Sequence, residues 1–469
     1  MSARRRLPSC LLVAGLLAGC GGERAREPAA AARAVPPGTN LVLISIDSLR
    51  PDHLGAYGYR RLTSPHLDRL AREGIVFERA WSTTTWTLPA HLSMLSSLVP
   101  PVHNVRRTNE RVSEKVELLP ERLAQAGYRS AAVVSGLFLD RRYGFDQGWE
   151  VYDDRTAFAG GDLHEHENVS SGRVHARALE LLDRLQSEPF FLFLHYFDVH
   201  YDYRPPPPYD RLFDPDYAGP VSGTHFARDL LRRRELAARD LEHLVALYDG
   251  EIRWVDAWLG KLFADLERRG LGERTLVVVT SDHGEEFLEH RRFGHAQNLY
   301  EPTLRVPLLV RLPGGRLGGR RSEVPVSLTD LAPTLAAAAG LPPPSGWMGR
   351  DLLPLLEGRG SIAPADLYAD LFGRRRALIA DGAWKAILER RYVRGRDQRR
   401  ARSLELFDLA RDPGERDDRA AADATRAETL RRRLERAWHG FQRAAAGLDA
   451  GRVENDPEFE KELRALGYL

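Results

Sequence analysis

Cysteine is almost missing from this 469-residue chain: there are two, Cys10 and Cys20, both close to the N-terminus. No disulfide framework can brace the body of the protein, so its stability must come from a hydrophobic core and any bound metal. Lysine is nearly missing too. Of 68 basic residues, only Lys115, Lys261, Lys385 and Lys461 are not arginine. The formal net charge is +2, which provides no broad positive field, so nucleic acid is not an expected partner. The run Arg232-Arg233-Arg234 has acids on both sides and reads as a solvated helix face. Beyond the N-terminus no apolar run is long enough to cross a bilayer, and no segment repeats.

The N-terminus reads as an export signal. Arg4, Arg5 and Arg6 supply the positive start, and Leu11 to Leu17 form an apolar run too short to span a membrane. Leu17-Ala18-Gly19-Cys20 follows. It resembles the bacterial lipobox, which implies cleavage before Cys20, lipidation of its thiol, and a protein anchored in the cell envelope by that lipid. An ordinary secretory signal cut at small residues is the other reading. Residues 21–39 are rich in Ala, Pro, Gly and charge, lack an apolar period, and read as a flexible tether. The rest is expected to form a large domain over residues 40–360 and a small domain with a helical tail over 361–469.

Along the large domain, strand-like apolar runs alternate with helical stretches. Strands are expected at Leu41–Ile46, Ser130–Val134, Phe190–Tyr196, Thr275–Thr280 and Val306–Arg311. Helices are expected from Pro65 to Glu73, Pro89–Leu98, Val116–Ala126, Arg173–Gln186, Leu236–Arg269 and Thr329–Ala339. The alternation predicts an α/β fold with a large, mostly parallel sheet flanked by helices. In the tail, two strands joined at Asp381-Gly382, a strand at Glu405–Asp408 and a helix over Ala424–Ala445 predict a small α+β domain.

Ligands of such sheets bind beyond the carboxyl ends of the strands. Asp47, Asp198 and Asp282 each lie at or just past such an end. Asp282 and His283 are adjacent, Gly284 lets the backbone come close, and Asp47 would bind the same ion. Thr87 precedes Pro89 at the mouth of a helix. Alone, Thr85 and Thr87 would read as helix caps. Together with the acids and histidines, Thr87 reads as a metal ligand and nucleophile, since coordination activates a hydroxyl. Asp198, His200 and His295 form a second cluster, read either as a second metal site or as an anion-binding site. His91 is a further candidate for stabilising charge or protonating a leaving oxygen, and His290 a weaker one. Tyr201, Tyr203 and Tyr209 are read as lining a substrate mouth.

These segments resemble the sulfatase family of the alkaline phosphatase superfamily. The resemblance rests on Asp47-Ser-Leu-Arg-Pro-Asp52-His-Leu-Gly55-Ala-Tyr-Gly58, Phe197-Asp198-Val-His200, Ser281-Asp282-His283-Gly284-Glu285 and Arg305-Val-Pro-Leu-Leu. In the tail, Trp384-Lys385 and Glu405-Leu-Phe-Asp408 through Glu415 add to it. It implies a divalent ion, usually calcium, at Asp47, Asp282 and His283, with Thr87 at the place of the family nucleophile. Several positions depart from the family pattern. Its Cys or Ser, converted to formylglycine, is Thr87, which cannot be converted. The second acidic ligand is Ser48, the Arg of the nucleophile motif is His91, and the Lys expected near Gly294 is His295.

A formylglycine hydrate expels sulfate by collapsing to an aldehyde, whereas a Thr ester must be hydrolysed by water. The expectation is therefore a metal-dependent hydrolase of sulfate or, more in keeping with Thr87, phosphate or phosphonate esters. Magnesium, manganese and zinc stay open beside calcium. Two alternatives remain: a transferase passing a phosphoryl-type group to an envelope glycan or lipid, and a binding lipoprotein without catalysis.

Overall fold

The computed structural model describes residues 33–156, 170–223, 236–391 and 401–454. The leader, Cys20, most of the tether and Arg232–Arg234 lie outside the described residues.

Three apolar runs make the centre. Asn40–Ile46, Phe190–Tyr196 and Thr275–Thr280 are strands in which every residue is buried. Such β-branched and aromatic runs, covered on both faces, suit the middle of a parallel sheet. Asn40–Ile46 lies between the other two and parallel to both, with Ser45 opposite His195 on one side and Thr280 on the other. The carboxyl ends of all three therefore open on one edge.

The full sheet has eight strands. Their spatial order is Arg320–Ser322, Ile75–Phe77, Leu308–Arg311, Thr275–Thr280, Asn40–Ile46, Phe190–Tyr196, Arg129–Val133 and Val151–Asp153. Only Leu308–Arg311 runs against the others. The chain between Thr280 and Leu308 holds no crossover helix, only short strands and the four-residue helix Glu301–Leu304. It stays at the carboxyl edge and re-enters the sheet from there, which forces the antiparallel direction.

Alternation along the strands divides the core in two. Leu41, Leu43, Phe191, Phe193, Leu276 and Val278 pack with Leu88, Leu92 and Leu95 of the helix Thr87–Ser96 and with the helix Leu331–Ala338. Val42, Ile44, Leu192, Leu194, Val277 and Val279 pack beneath Pro65–Glu73, Ser171–Leu185 and Ala238–Arg268. Helices on both faces are what the sequence pattern predicts. No helix among the described residues is long and apolar enough to cross a membrane.

The tail contains an antiparallel meander of Leu367–Leu371, Arg375–Ala380, Trp384–Arg391 and Ala401–Asp408. The turn after Ala380 uses Asp381 at φ 51° and Gly382 at φ 66°, the positive pair that a tight hairpin requires. Ala427, Leu430 and Leu434 of the helix Ala424–Ala444 cover one face through Leu378, Ala386, Leu388 and Leu406. Ala377, Ile379, Ile387 and Phe407 on the other face join the main core. Near the start of the described residues, Val35 is buried and its amide donates to Glu357 Oε1 at 3.1 Å, so this tether residue is packed on the domain.

Lys385 ties the meander to the segment between Thr280 and Leu308. Its fully buried Nζ lies 2.9 Å from Glu301 Oε1 and 2.8 Å from Glu415 Oε1. Trp81 Nε1 also donates to Glu301, at 2.9 Å. Removing the cation would leave two buried carboxylates facing each other. We expect Lys385→Ala to lower unfolding free energy by about 3–5 kcal/mol, read from the shift of the urea midpoint at constant m-value.

Candidate active site

Asp47 continues the strand Asn40–Ile46 by one residue, and its amide donates to the Tyr196 carbonyl at 2.9 Å. Asp282 stands two residues past the strand Thr275–Thr280. Because the strands are neighbours with their ends level, both carboxylates meet at one place. Asp47, Asp282 and His283 offer ligand atoms that all lie within 4.8 Å of one another, and all three residues are fully buried. Among the described residues this is the one such group.

Neighbouring groups orient the three ligands. His283 Nδ1 donates to the Gly284 carbonyl at 2.9 Å, which places its lone pair on Nε2. Asp282 Oδ1 accepts from the amides of Ser48 at 3.2 Å and His283 at 3.0 Å, while its buried Oδ2 has no hydrogen-bond donor. Ser48 sits in the left-handed region at φ 57°, and its hydroxyl donates to Asp47 Oδ1 at 2.9 Å. Tyr248 holds the turn by donating to the Ser48 carbonyl at 2.8 Å. Ser48 therefore supplies hydrogen bonds at a position where the family resemblance expects a carboxylate.

The electrostatics ask for a cation. Burial, reinforced by Asp47, pushes the Asp282 carboxyl well above its usual range. Burial acts the same way on Asp47, but the close approach of His195 and the fields of His200 and His283 outweigh it and hold Asp47 low. Two buried carboxylates, an imidazole lone pair and an unpartnered Oδ2 fit a divalent ion, which would remove this strain.

Thr87 is the first residue of the helix Thr87–Ser96, which begins two residues earlier than expected. Pro89 does not delay the start, since an amide in the first turn needs no intrahelical partner. Neither threonine serves as the cap: Trp86 precedes the helix in extended geometry, and Thr85 Oγ1 donates to the Asn298 carbonyl at 2.9 Å. Thr87 Oγ1 instead points into the acidic site, 3.3 Å from Asp47 Oδ2 and 3.4 Å from His283 Nε2.

His91, one turn further on, braces this arrangement from below. Its Nδ1 donates to the Thr87 carbonyl and its Nε2 accepts from Ser45 Oγ, both at 2.9 Å. Burial, with His195 beside it, pushes its pKa down to about 3. A neutral, fully buried ring with both nitrogens engaged holds the start of the helix against the strand Asn40–Ile46. His195, opposite Ser45 in the sheet, closes the same layer, with its Nε2 3.4 Å from Asp47 Oδ2.

Of the second cluster, the structure brings His200 and His295 together, their ring centres 4.9 Å apart, and places His295 4.4 Å from His283. Asp198 does not join them. Its carboxylate accepts from the Ser170 amide at 2.7 Å, Ser170 Oγ at 2.6 Å and Ser171 Oγ at 2.7 Å. The Ser170 amide and the hydroxyls of Ser170 and Ser171, at the start of the helix Ser171–Leu185, claim it, so a second metal there would lack its carboxylate ligand. Burial lowers the pKa of His200 to about 3 and that of His295 well below its usual value. Tyr201 packs over this pair, at 4.2 Å from His200 and 5.1 Å from His295. Tyr209 lies against Trp254 instead. His290 stacks on Tyr300 with its Nε2 3.1 Å from the Gly414 carbonyl.

Sequence reasoning assigned no role to Glu285, Ser45 or His195. Glu285 is fully buried, accepts from Tyr203 at 3.0 Å and meets His295 Nδ1 at 3.0 Å. Burial raises its pKa to about 7, against the lowering influence of His200 and His283. It stands inside the motif that carries Asp282 and His283, which was the available signal.

The family model for Sulfatase matches residues 39–341, and that for the C-terminal part of N-sulphoglucosamine sulphohydrolase matches residues 288–442. Iduronate 2-sulfatase of Mus musculus is 25% identical over 443 residues, which cover 76% of this chain and 80% of the relative. The multifunctional alkaline phosphatase superfamily protein PehA of Trinickia caryophylli is 27% identical over 409 residues, covering 70% of this chain and 79% of that one. The phosphonate monoester hydrolase of Agrobacterium radiobacter shares the fold, with a TM-score of 0.69 and 22% identity over 89% of this chain and 100% of that one.

Ion binding at Asp47, Asp282 and His283 should appear as stability. A divalent ion at 100 times its dissociation constant should add about 2.7 kcal/mol to the unfolding free energy. We expect a chelator to lower the melting temperature, the added ion to restore it, and Asp282→Ala to abolish that response.

Proposed function

This chain belongs to the sulfatase family, and on that premise we propose that it cleaves phosphate or phosphonate esters with Thr87 as the nucleophile. It is a hydrolase acting on sulfate or phosphate esters, as its family membership establishes. The observation that carries the finer reading is the position of Thr87 Oγ1, at a helix start and within 3.4 Å of both Asp47 Oδ2 and His283 Nε2. A hydroxyl there has a carboxylate to take its proton and a helix N-terminus to favour an anionic ester.

Asp47, Asp282 and His283 would hold the divalent ion, with Thr87 completing the set. We take calcium, usual in the family, as the first candidate, and magnesium, manganese and zinc as alternatives set by the one imidazole ligand. Such an ion would lower the pKa of the Thr87 hydroxyl and draw charge from the ester oxygens. Thr87 Oγ then attacks in line with the departing oxygen. His200 and His295 lie beside this position, with Nδ1 of each ring engaged by the Tyr201 carbonyl and by Glu285 Oε1. His91 acts on Thr87 through its backbone, because both ring nitrogens are already engaged.

Phosphorus is preferred to sulfur for a chemical reason. A Thr87 ester has no internal route of release and must be opened by water. Relatives that include an iduronate 2-sulfatase and a multifunctional alkaline phosphatase superfamily protein support an ester of a saccharide or another small molecule as substrate. We further infer from Arg4–Arg6, Leu11–Leu17 and the Leu17-Ala-Gly-Cys20 sequence that the enzyme works in the cell envelope on a lipid tether.

The test is a panel of matched aryl sulfate, phosphate monoester, phosphate diester and phosphonate ester, run with calcium, magnesium, manganese and zinc in turn. We expect phosphorus ester turnover that Thr87→Ala abolishes without changing the melting temperature by more than a few degrees. Sulfate turnover alone, or turnover unaffected by Thr87→Ala, would overturn the assignment. For the anchor, Cys20→Ser should move the protein from the membrane fraction to the soluble fraction of expressing cells.

A further inference from the structure

We propose that Glu285 is a positioning residue that makes His295 the base for the water-dependent second half of the reaction, an inference that rests on the Thr87 reading above. The short strands Glu286–Phe287 and Phe293–Gly294 pair antiparallel with Gly294 opposite Glu286. One step further along that register, His295 comes opposite Glu285. The side chains meet there, His295 Nδ1 to Glu285 Oε1 at 3.0 Å. The other carboxylate oxygen accepts from Tyr203 at 3.0 Å. Glu285 and Tyr203 are fully buried, and the His295 side chain is 1% exposed.

When Glu285 is ionised its carboxylate only accepts hydrogen bonds, which keeps the hydrogen of the neutral His295 ring on Nδ1 and the lone pair on Nε2. The ring is also held in place by its backbone. The next amide, Ala296, donates to the Thr85 carbonyl at 2.8 Å, which ties the His295 loop to the segment that carries Thr87. His295 lies against His283, whose Nε2 is 3.4 Å from Thr87 Oγ1. A carboxylate that fixes the tautomer of an imidazole lying against the ring beside Thr87 is an arrangement suited to removing a proton from water.

Two departures from the family pattern then explain each other. Thr87 removes the internal exit that a formylglycine hydrate provides, so water must be activated. His295 replaces a lysine, an ammonium donor with no lone pair, by a ring that can accept a proton, and Glu285 supplies the orientation that a ring needs. In the step itself, the water oxygen bonds to phosphorus of the Thr87 ester and a water proton passes to His295 Nε2. The bond between phosphorus and Thr87 Oγ breaks, its electron pair goes to Oγ, and the proton on Nε2 is returned to that oxygen. Water is the only co-reactant, and Thr87 and His295 end as they began.

The test separates the two halves of turnover. With a para-nitrophenyl phosphorus ester that the enzyme turns over, Glu285→Gln and His295→Gln should keep a first-turnover burst of nitrophenol close to one equivalent per site. Steady-state turnover should fall about 100-fold. Intact mass and peptide mapping should then find a phosphoryl or phosphonyl group on Thr87. Tyr203→Phe, which removes only the hydroxyl on Glu285 Oε2, should show the same pattern more weakly, and is read in place of Glu285→Gln if that variant melts below the assay temperature. A burst that falls in parallel with the steady state, with no adduct, would mean that Glu285 is structural and would overturn the inference. In that case loss of turnover in Thr87→Ala would still leave the nucleophile assignment standing. Absence of an adduct together with unchanged turnover in Thr87→Ala would overturn both.

Discussion

Two carboxylates, Asp47 and Asp282, are buried side by side at the ends of adjacent parallel strands, and much of the surrounding structure serves that placement. Like charges this close in a dry site repel, and neither reaches water to relieve it. The fold holds them with directed bonds. Ser48, twisted into positive φ, donates to both, Tyr248 fixes the Ser48 turn, and His195 stands against the far oxygen of Asp47. What those bonds leave is an unpartnered Asp282 oxygen and a turned-in His283 lone pair, a site shaped for a cation.

The Thr87 hydroxyl is added from the opposite direction. Thr87 arrives on a helix packed on one face of the sheet, whereas the acids come from the strand ends. His91 joins the two, bonding at once to the Thr87 carbonyl and to Ser45 on the central strand. A charged arginine at this position would have to be buried in the same layer; a neutral histidine fits it, and acts by holding Thr87 in register. The changes at positions 48, 87, 91 and 295 therefore form a connected set around one centre. Where the family resemblance expects an acid and a convertible residue, this centre has hydrogen bonds from Ser48 and a plain alcohol at Thr87.

The candidate metal set was legible because it depends on short-range patterns. A buried run followed by a carboxylate states where a strand ends, and Asp282-His283-Gly284 keeps its ligands within three residues. Asp198 shows how far such reasoning reaches. It too follows a buried strand, but the Ser170 amide and the Ser170 and Ser171 hydroxyls take its oxygens, and nothing at positions 196–200 announces a helix start that precedes them in the chain. Glu285 was hidden for a related reason. A glutamate in a polar motif reads as exposed, and its burial follows only from the antiparallel register that sets His295 opposite it.

By itself the sequence determined the alternation of strands and helices, the direction of most of the sheet and the identity of the groups that can bind metal, because these follow from periodicity and side-chain chemistry over a few residues. The tertiary structure alone decided that Leu308–Arg311 runs backwards, that His91 and Ser45 brace Thr87, that Ser170 and Ser171 take up Asp198, and that Glu285 faces His295. Each of these depends on which distant backbone amide, carbonyl or side chain comes within about 3 Å. That is set by packing across the whole sheet and is not encoded in any local pattern.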